Sequence, residues 1–419
     1  MRNKYLISKH PTRLDTARRA FLRQAATFGG LALLGQQKLS LAEEMVKLPF
    51  ENGDRALVAY PQKKPLMLMT ARPVQLETPL TYFDNTVFTP NDVFFVRWHL
   101  ANMPTSIDPQ TFRLTVRGRV KNTLNLSLDD LRNNYQAIEV AAVCQCSGNS
   151  RGLFSPRVGG GQWGNGAMGN ALWKGVRLRD ILEQAGLQED ALQIRFDGLD
   201  KGVLPQTPDF IKALAKDVAL SDDVIVAYAM NGEPLPLLNG YPLRLVAPGW
   251  YATYWVKMLH DIEAISAVDE SFWMKPAYRI PANACACVEP GQPVENSVPI
   301  NLMNVRSFIT SHSDGERIDR TAQPEVAIRG IAFDGGYGIS RVLLSSDGGK
   351  TWSDAELDED HGNYSFRLWR SRFKPAQAGD YQLQCMAINR IGETQRDTPR
   401  WNPSGYMRNL IETVRVQVA

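Results

Sequence analysis

Residues 143–151 read Val-Cys-Gln-Cys-Ser-Gly-Asn-Ser-Arg. An apolar run, residues 138–143 broken once by Glu139, leads into Cys146; a Gly148-Asn149 turn follows, and Arg151 stands five residues beyond the thiol. A strand that ends this way presents one sulfur at its carboxyl end, and the turn folds a guanidinium back over it. A thiolate beside a fixed cation suits both a soft, high-valent metal and an oxyanion. The same cysteine also admits plainer readings, as half of a disulfide or as a small buried apolar side chain.

Other cations fall on similar elements. Phe94-Phe95-Val96-Arg97-Trp98-His99 has the alternation of a strand, which puts Arg97 and His99 on one face. Such a face offers donors to a phosphate or small oxyanion, and equally describes an ordinary cationic strand. Arg244, after Asn239-Gly240-Tyr241-Pro242-Leu243, and Lys257, after Trp255-Val256, add two more cations beside turns. Structural salt bridges would account for those as well.

Residues 94–98, 112–116 and 243–247 read as strands, and residues 128–133 and 177–185 have the amphipathic spacing of short helices. Residues 92–267 therefore read as a mixed α+β domain, preceded by a proline-rich, irregular arm over residues 43–90. Near residues 282–301 the composition shifts to Pro, Gly, Asn and Cys, a domain boundary. Beyond it, residues 325–331, 340–345, 364–370, 381–388 and 412–418 alternate apolar and polar residues, with a hairpin signal at Asp347-Gly348-Gly349-Lys350-Thr351-Trp352. This spacing predicts a β-sandwich of immunoglobulin type.

The first 42 residues read as a targeting segment. Arg18-Arg19-Ala20-Phe21-Leu22-Arg23 precedes a mild apolar stretch at 25–34, and Ser40-Leu41-Ala42 offers small residues at a cleavage spacing. This is the pattern of a twin-arginine export signal, with Ala17 before the arginine pair and Arg23 where lysine is common. Its apolar stretch is far short of the roughly twenty residues that span a bilayer, so no membrane span is expected in the mature protein. Export through the twin-arginine machinery suits a chain that takes up a bulky cofactor before leaving the cytoplasm, and it gives a periplasmic address. The segment carries eight Lys/Arg and one Asp; without it the chain has a net charge of −4 against +3 for the whole. That mild acidity speaks against a nucleic-acid partner and is compatible with a basic protein partner such as a small cytochrome. The five cysteines include Cys144, Cys285, Cys287 and Cys385 besides Cys146; the pairs have neither structural-zinc spacing nor a C-x-x-C-H haem motif.

Taken together, Val96-Arg97-Trp98-His99, Cys146-Ser147-Gly148-Asn149-Ser150-Arg151, Trp163, Trp173-Lys174-Gly175-Val176, Gly198-Leu199-Asp200, Tyr228-Ala229-Met230-Asn231-Gly232 and Trp401-Asn402 resemble the sulfite oxidase family of molybdopterin enzymes. The resemblance covers nearly the whole chain after the signal. It implies a signal at 1–42, a molybdopterin-binding catalytic domain at 43–285, and an immunoglobulin-like dimerisation domain at 290–419 that makes a homodimer.

On this resemblance Cys146 is the protein ligand of molybdenum, held as Mo-molybdopterin, and Cys144 is packing. Arg97, Arg151 and Tyr278 line the oxyanion pocket, with Trp163 in its wall. His99, Asp200, Arg244 and Lys257 hold the pterin and its phosphate, with backbone from Trp98, Trp255 and Val256. Three positions depart from the animal pattern: Asn239 replaces histidine, Tyr254 replaces arginine, and Ser404 replaces a pocket arginine, leaving the pocket one cation poorer. The resemblance implies oxidation of sulfite to sulfate by oxygen-atom transfer, with electron transfer to an external periplasmic cytochrome c, because the chain lacks a second redox centre. Two other classes stay open on sequence: a molybdopterin-dependent sulfoxide reductase, and a non-catalytic exported binding module whose cysteine sits in a disulfide.

Overall fold

Strand Ala137–Gln145 begins exposed and ends with its last four residues buried, so it runs inward and delivers Cys146 to the interior. It pairs antiparallel with Met168–Arg177, which pairs in turn with Ile225–Met230. Arg244–Val246 adds to the same sheet alongside Ile225–Met230. A second sheet runs Ile211–Ala215, Gln193–Gly198, Leu259–Ile265, Leu114–Gly118, Leu124–Leu126, with its central Leu259–Ile265/Leu114–Gly118 pair parallel. The alternating burial of Gln193–Gly198 marks a sheet with one face on the core. The computed structural model describes residues 45–47 and 53–419, so the expected export signal lies outside the described residues.

Helices are few. Leu128–Asn134 starts at Ser127, whose side chain and backbone exchange bonds with Asp130 in a capping box, and Leu178–Ala185 stops at Gly186 with φ 71°. With one further four-residue helix at Lys216–Ala219 among the described residues, the part before residue 285 is mostly β rather than evenly α+β. The expectation gave too much weight to two short amphipathic stretches, which only cover sheet faces.

The arm is also more ordered than its prolines imply. Asp54–Val58, Leu66–Thr70 and Gln75–Glu77 form consecutive antiparallel strands, and Gln75–Glu77 pairs with Val96–Arg97. That last pairing fixes the strand carrying Arg97. The strand itself is two residues long rather than five, because the chain turns away beyond Arg97.

The carboxyl-terminal part is a two-sheet sandwich, as its alternation predicts. One sheet is Arg306–Ile309, Val326–Phe333, Arg367–Phe373, Glu356–Leu357; the other is Glu316–Ile318, Thr413–Val418, Gly379–Asn389, Ile339–Ser345, Ser353–Asp354. Ile328, Trp369 and Phe373 from the first pack with Val342, Leu383 and Val416 from the second in one buried cluster. The hairpin signal is real: Asp347 accepts the amides of Lys350 and Thr351, and Gly348 and Gly349 take φ of 73° and 87°. Phe83, Phe333 and Phe366 continue the catalytic core into the sandwich without a break. Between the two parts, Arg279–Pro281 pairs with Ser297–Pro299, and the loop they carry holds a disulfide between Cys285 and Cys287.

Candidate active site

Cys146 leaves its strand with its amide bonded to the Ala167 carbonyl, and its own carbonyl accepts from the Asn149 amide, closing the turn. The Asn149 side chain then bridges Ala167 and Asn165, which pins the turn from outside. Ser150 sits at φ 66°, and Arg151 starts a short 3-10 turn directly after it. Cys146 is a free thiol, 8% exposed, so the disulfide reading of this residue is excluded; Cys144 and Cys385 are also free and buried.

Cys146 opens on a small cavity whose wall includes Arg97, His99, Arg244, Lys257 and Tyr278, brought from four separate segments. Five buried polar atoms of its lining residues have no partner: Arg97 Nη1, His99 Nδ1, Ser147 Oγ, Arg244 Nε and Thr253 Oγ1. Folded proteins seldom leave that many buried groups unpaired. A group rich in acceptors and carrying negative charge, such as a phosphorylated pterin, would satisfy them. Among the described residues no cluster of three His, Cys, Asp or Glu could hold a metal ion.

The electrostatics agree. Burial pushes Lys257 down to about 7, helped by the Arg244 charge and opposed by Asp200. Burial outweighs Lys257 at Asp200, whose carboxyl is pushed up to about 6; the two sense each other without forming an ion pair. Burial, then Arg97, Lys257 and Lys212, hold His99 well below its ordinary value, so its ring is neutral. Several cations around an enclosed space with one acid nearby call for an anion.

Of the other expected residues, Arg151, Trp163, Asp200, Trp98, Trp255 and Val256 are not among those lining this cavity, whereas His99 and Tyr278 are. His99 Nε2 and the Tyr278 hydroxyl form a short hydrogen bond, and the His99 ring stacks on Phe210 at 3.5 Å. Tyr278 is buried at φ 57°, a left-handed backbone that packing must hold, and burial raises its phenol. Arg151 is 7% exposed, donates Nε to the Ser404 carbonyl at 2.9 Å, and lies over the Tyr406 ring at 5.0 Å. Trp163 is fully buried in the adjoining loop. Lys257 Nζ stands 4.5 Å over the Trp98 ring. The amides of Trp98, Trp255 and Val256 are already bonded to Val74, Ala252 and Tyr254 carbonyls, so these three residues have no spare amide for a pterin.

Four contributors went unnoticed in the sequence. Lys63, from the arm, donates Nζ to the carbonyls of Asn91 and Phe94 and to Asn239 Oδ1, and Asn239 lines the cavity. Lys212 is buried with its ammonium 4.6 Å from the Tyr254 ring centroid and 5.1 Å from that of Tyr278. Glu77 accepts the amides of Gly164 and Gly166, holding the loop that bears Trp163. Tyr406 stacks on Tyr278 at 5.2 Å beside Arg151. Of these only Tyr406, following Ser404-Gly405, sat close to a position already of interest.

Comparison with known proteins decides the family. Residues 100–273 match the oxidoreductase molybdopterin binding domain, and residues 297–419 match the Mo-co oxidoreductase dimerisation domain. Mitochondrial sulfite oxidase of Rattus norvegicus is 34% identical over 85% of this chain and 67% of its own length. The chain belongs to the sulfite oxidase family. Sulfite oxidase of Gallus gallus is 32% identical over 83% of the chain and 77% of its own length. The chain spans about two thirds of the mammalian relatives. The same fold occurs in the sulfane dehydrogenase SoxCD of Paracoccus pantotrophus, with a TM-score of 0.69, 24% identity, and coverage of 83% of this chain and 85% of that one. As a sulfite oxidase family member the protein is a molybdopterin oxidoreductase, and its cofactor is Mo-molybdopterin.

Proposed function

We propose that this protein is a periplasmic, homodimeric sulfite dehydrogenase that oxidises sulfite to sulfate and passes electrons to an external cytochrome c. The observation that carries the reading is the free Cys146 thiol on a cavity walled by Arg97, Arg244, Lys257 and neutral His99. Cys146 is the protein's ligand to molybdenum. His99, Arg244 and Lys257 hold the pterin and its phosphate, and Asp200, set behind Lys257, tunes that lysine's charge.

The bound cofactor supplies oxygen-atom transfer and takes up two electrons. The chain's own residues bring the anion to it. Arg97 offers an unpartnered Nη1, and Arg151, anchored through Nε on Ser404, presents the far end of its guanidinium beside Tyr406. Charge-assisted bonds of this kind hold a small oxyanion and favour the added negative charge of the product. The Tyr278 hydroxyl, fixed against His99, places a donor at the rim of the same space, and buried Trp163 helps exclude water.

The twin-arginine pattern supports the periplasmic address, and the match of residues 297–419 to a dimerisation domain supports the homodimer. No helix among the described residues is long and apolar enough to cross a membrane. The test is direct. Purified protein should contain molybdenum near one per chain and reduce ferricytochrome c when sulfite is added. Brisk reduction of methionine sulfoxide with no sulfite turnover would overturn the proposal in favour of a reductase.

A further inference from the structure

Beyond the catalytic cavity lies a cleft of about 190 Å³, walled by Arg396, Arg400 and Arg408 and with no carboxylate in its lining. Arg408 is paired with Glu412, but Glu412 also serves Arg306, so one acid answers two guanidiniums. The side chains of Arg396 and Arg400 have no hydrogen-bond or ion-pair partner among the described residues. Asp397, between them in sequence, is not part of the wall. Burial, then the neighbouring Arg400 charge, lowers the Arg396 guanidinium from its ordinary value. Cations held together without acids form a site complementary to an anion.

The frame is rigid. The disulfide loop of Cys285 and Cys287 closes one side, tied through the Val288 amide to the Trp401 carbonyl, and the Trp401 indole is bonded to the Pro156 carbonyl. Asn402 brackets Tyr406 from both directions, its side chain donating to the Tyr406 carbonyl and accepting the Tyr406 amide. Tyr406 lines this cleft, and its ring stacks on Tyr278, which lines the catalytic cavity, beside Arg151.

We propose that the Arg396–Arg400–Arg408 cleft is a second binding site, for a small sulfur oxyanion, separated from the catalytic cavity by the stacked rings of Tyr406 and Tyr278. Its volume is below the roughly 300–1,000 Å³ of pockets for drug-sized ligands and suits an ion of sulfate size, and its concavity favours an ion over the flat face of an acidic protein. The ligand class rests on the sulfite reading, but the test needs no turnover.

Sulfate is titrated calorimetrically into the full-length holoprotein at low ionic strength. Wild type should bind it at two sites per chain. Arg396→Gln/Arg400→Gln should lose one of them, with affinity there at least about tenfold weaker for the lost charge-assisted bonds. Arg97→Gln should retain that site and lose the other. Kinetics then separate the two sources of oxyanion. A raised KM for sulfite in the double variant, at unchanged kcat, marks the cleft as serving substrate entry. Relief of sulfate inhibition at unchanged KM marks it as serving product exit. Either outcome supports the site. Sulfate binding identical in wild type and double variant overturns it, as does a defect seen only when cytochrome c replaces a small dye.

Discussion

Lys63 Nζ donates to Asn239 Oδ1 at 2.5 Å, linking the amino-terminal arm to the wall of the catalytic cavity across 176 residues of sequence. Asn239 in turn donates Nδ2 to the Phe95 carbonyl, and its own carbonyl accepts from Arg244 Nη1. One ammonium therefore stands behind two walls of the site, the segment of Arg97 and the segment of Arg244.

Removing that ammonium should cost both stability and cofactor. In Lys63→Met three acceptors lose a buried charged donor, and relief of burying the charge offsets only part of the loss. The expected destabilisation is about 2–3 kcal/mol, read from the urea midpoint. Molybdenum content after dialysis should fall alongside it. A variant that keeps full cofactor occupancy would show that Asn239 holds its place unaided.

The Arg151 guanidinium lies in a cradle that excludes side-chain carbons. A Cβ added at Gly148 would stand 2.6 Å from Arg151 Cζ, and one at Gly405 would stand 2.8 Å from Arg151 Cγ. Gly148→Ala should push the guanidinium off its anchor on Ser404. The KM for sulfite is expected to rise at least about tenfold, the worth of one charge-assisted bond, with kcat changed far less. An unchanged KM would mean that Arg151 does not touch the substrate.

Lys212 gives a pH signature. Its folded-state pKa is lowered to about 7 from 10.5, mainly by burial. Below pH 7 both folded and unfolded chains carry the proton, and the fold bears the full cost of a buried charge. Between pH 7 and 10.5 the unfolded chain binds more protons, so this group makes stability rise with pH. Lys212→Met should lack that rise. Its stability relative to wild type should be greatest below pH 7 and decline as pH climbs toward 10.5, measured by denaturant melts across the range. A constant difference would place the ammonium in contact with water.

The parts of the protein written in local pattern were readable in advance. Cys146, its turn and Arg151 lie within a few residues of sequence, and the turn that follows the strand is written there in local pattern. The sandwich strands alternate cleanly because each shows one face to the core, as Gly379–Asn389 does. The arm was missed because its strands are at most five residues long and mostly half-buried, which leaves no period to detect. The helices were overvalued for the opposite reason: a good amphipathic stretch says that a helix forms, not how much of the fold it represents. Lys63, Lys212 and Tyr406 act at the site only through tertiary contact, so their neighbours in sequence carry no sign of it.

The central claim is that the Cys146 sulfur binds molybdenum. X-ray absorption at the molybdenum edge, on wild type and Cys146→Ser purified in parallel, tests it most directly. The account predicts one fewer sulfur neighbour in the variant, together with loss of sulfite-dependent cytochrome c reduction. The same sulfur count in both proteins, with turnover retained, would contradict it.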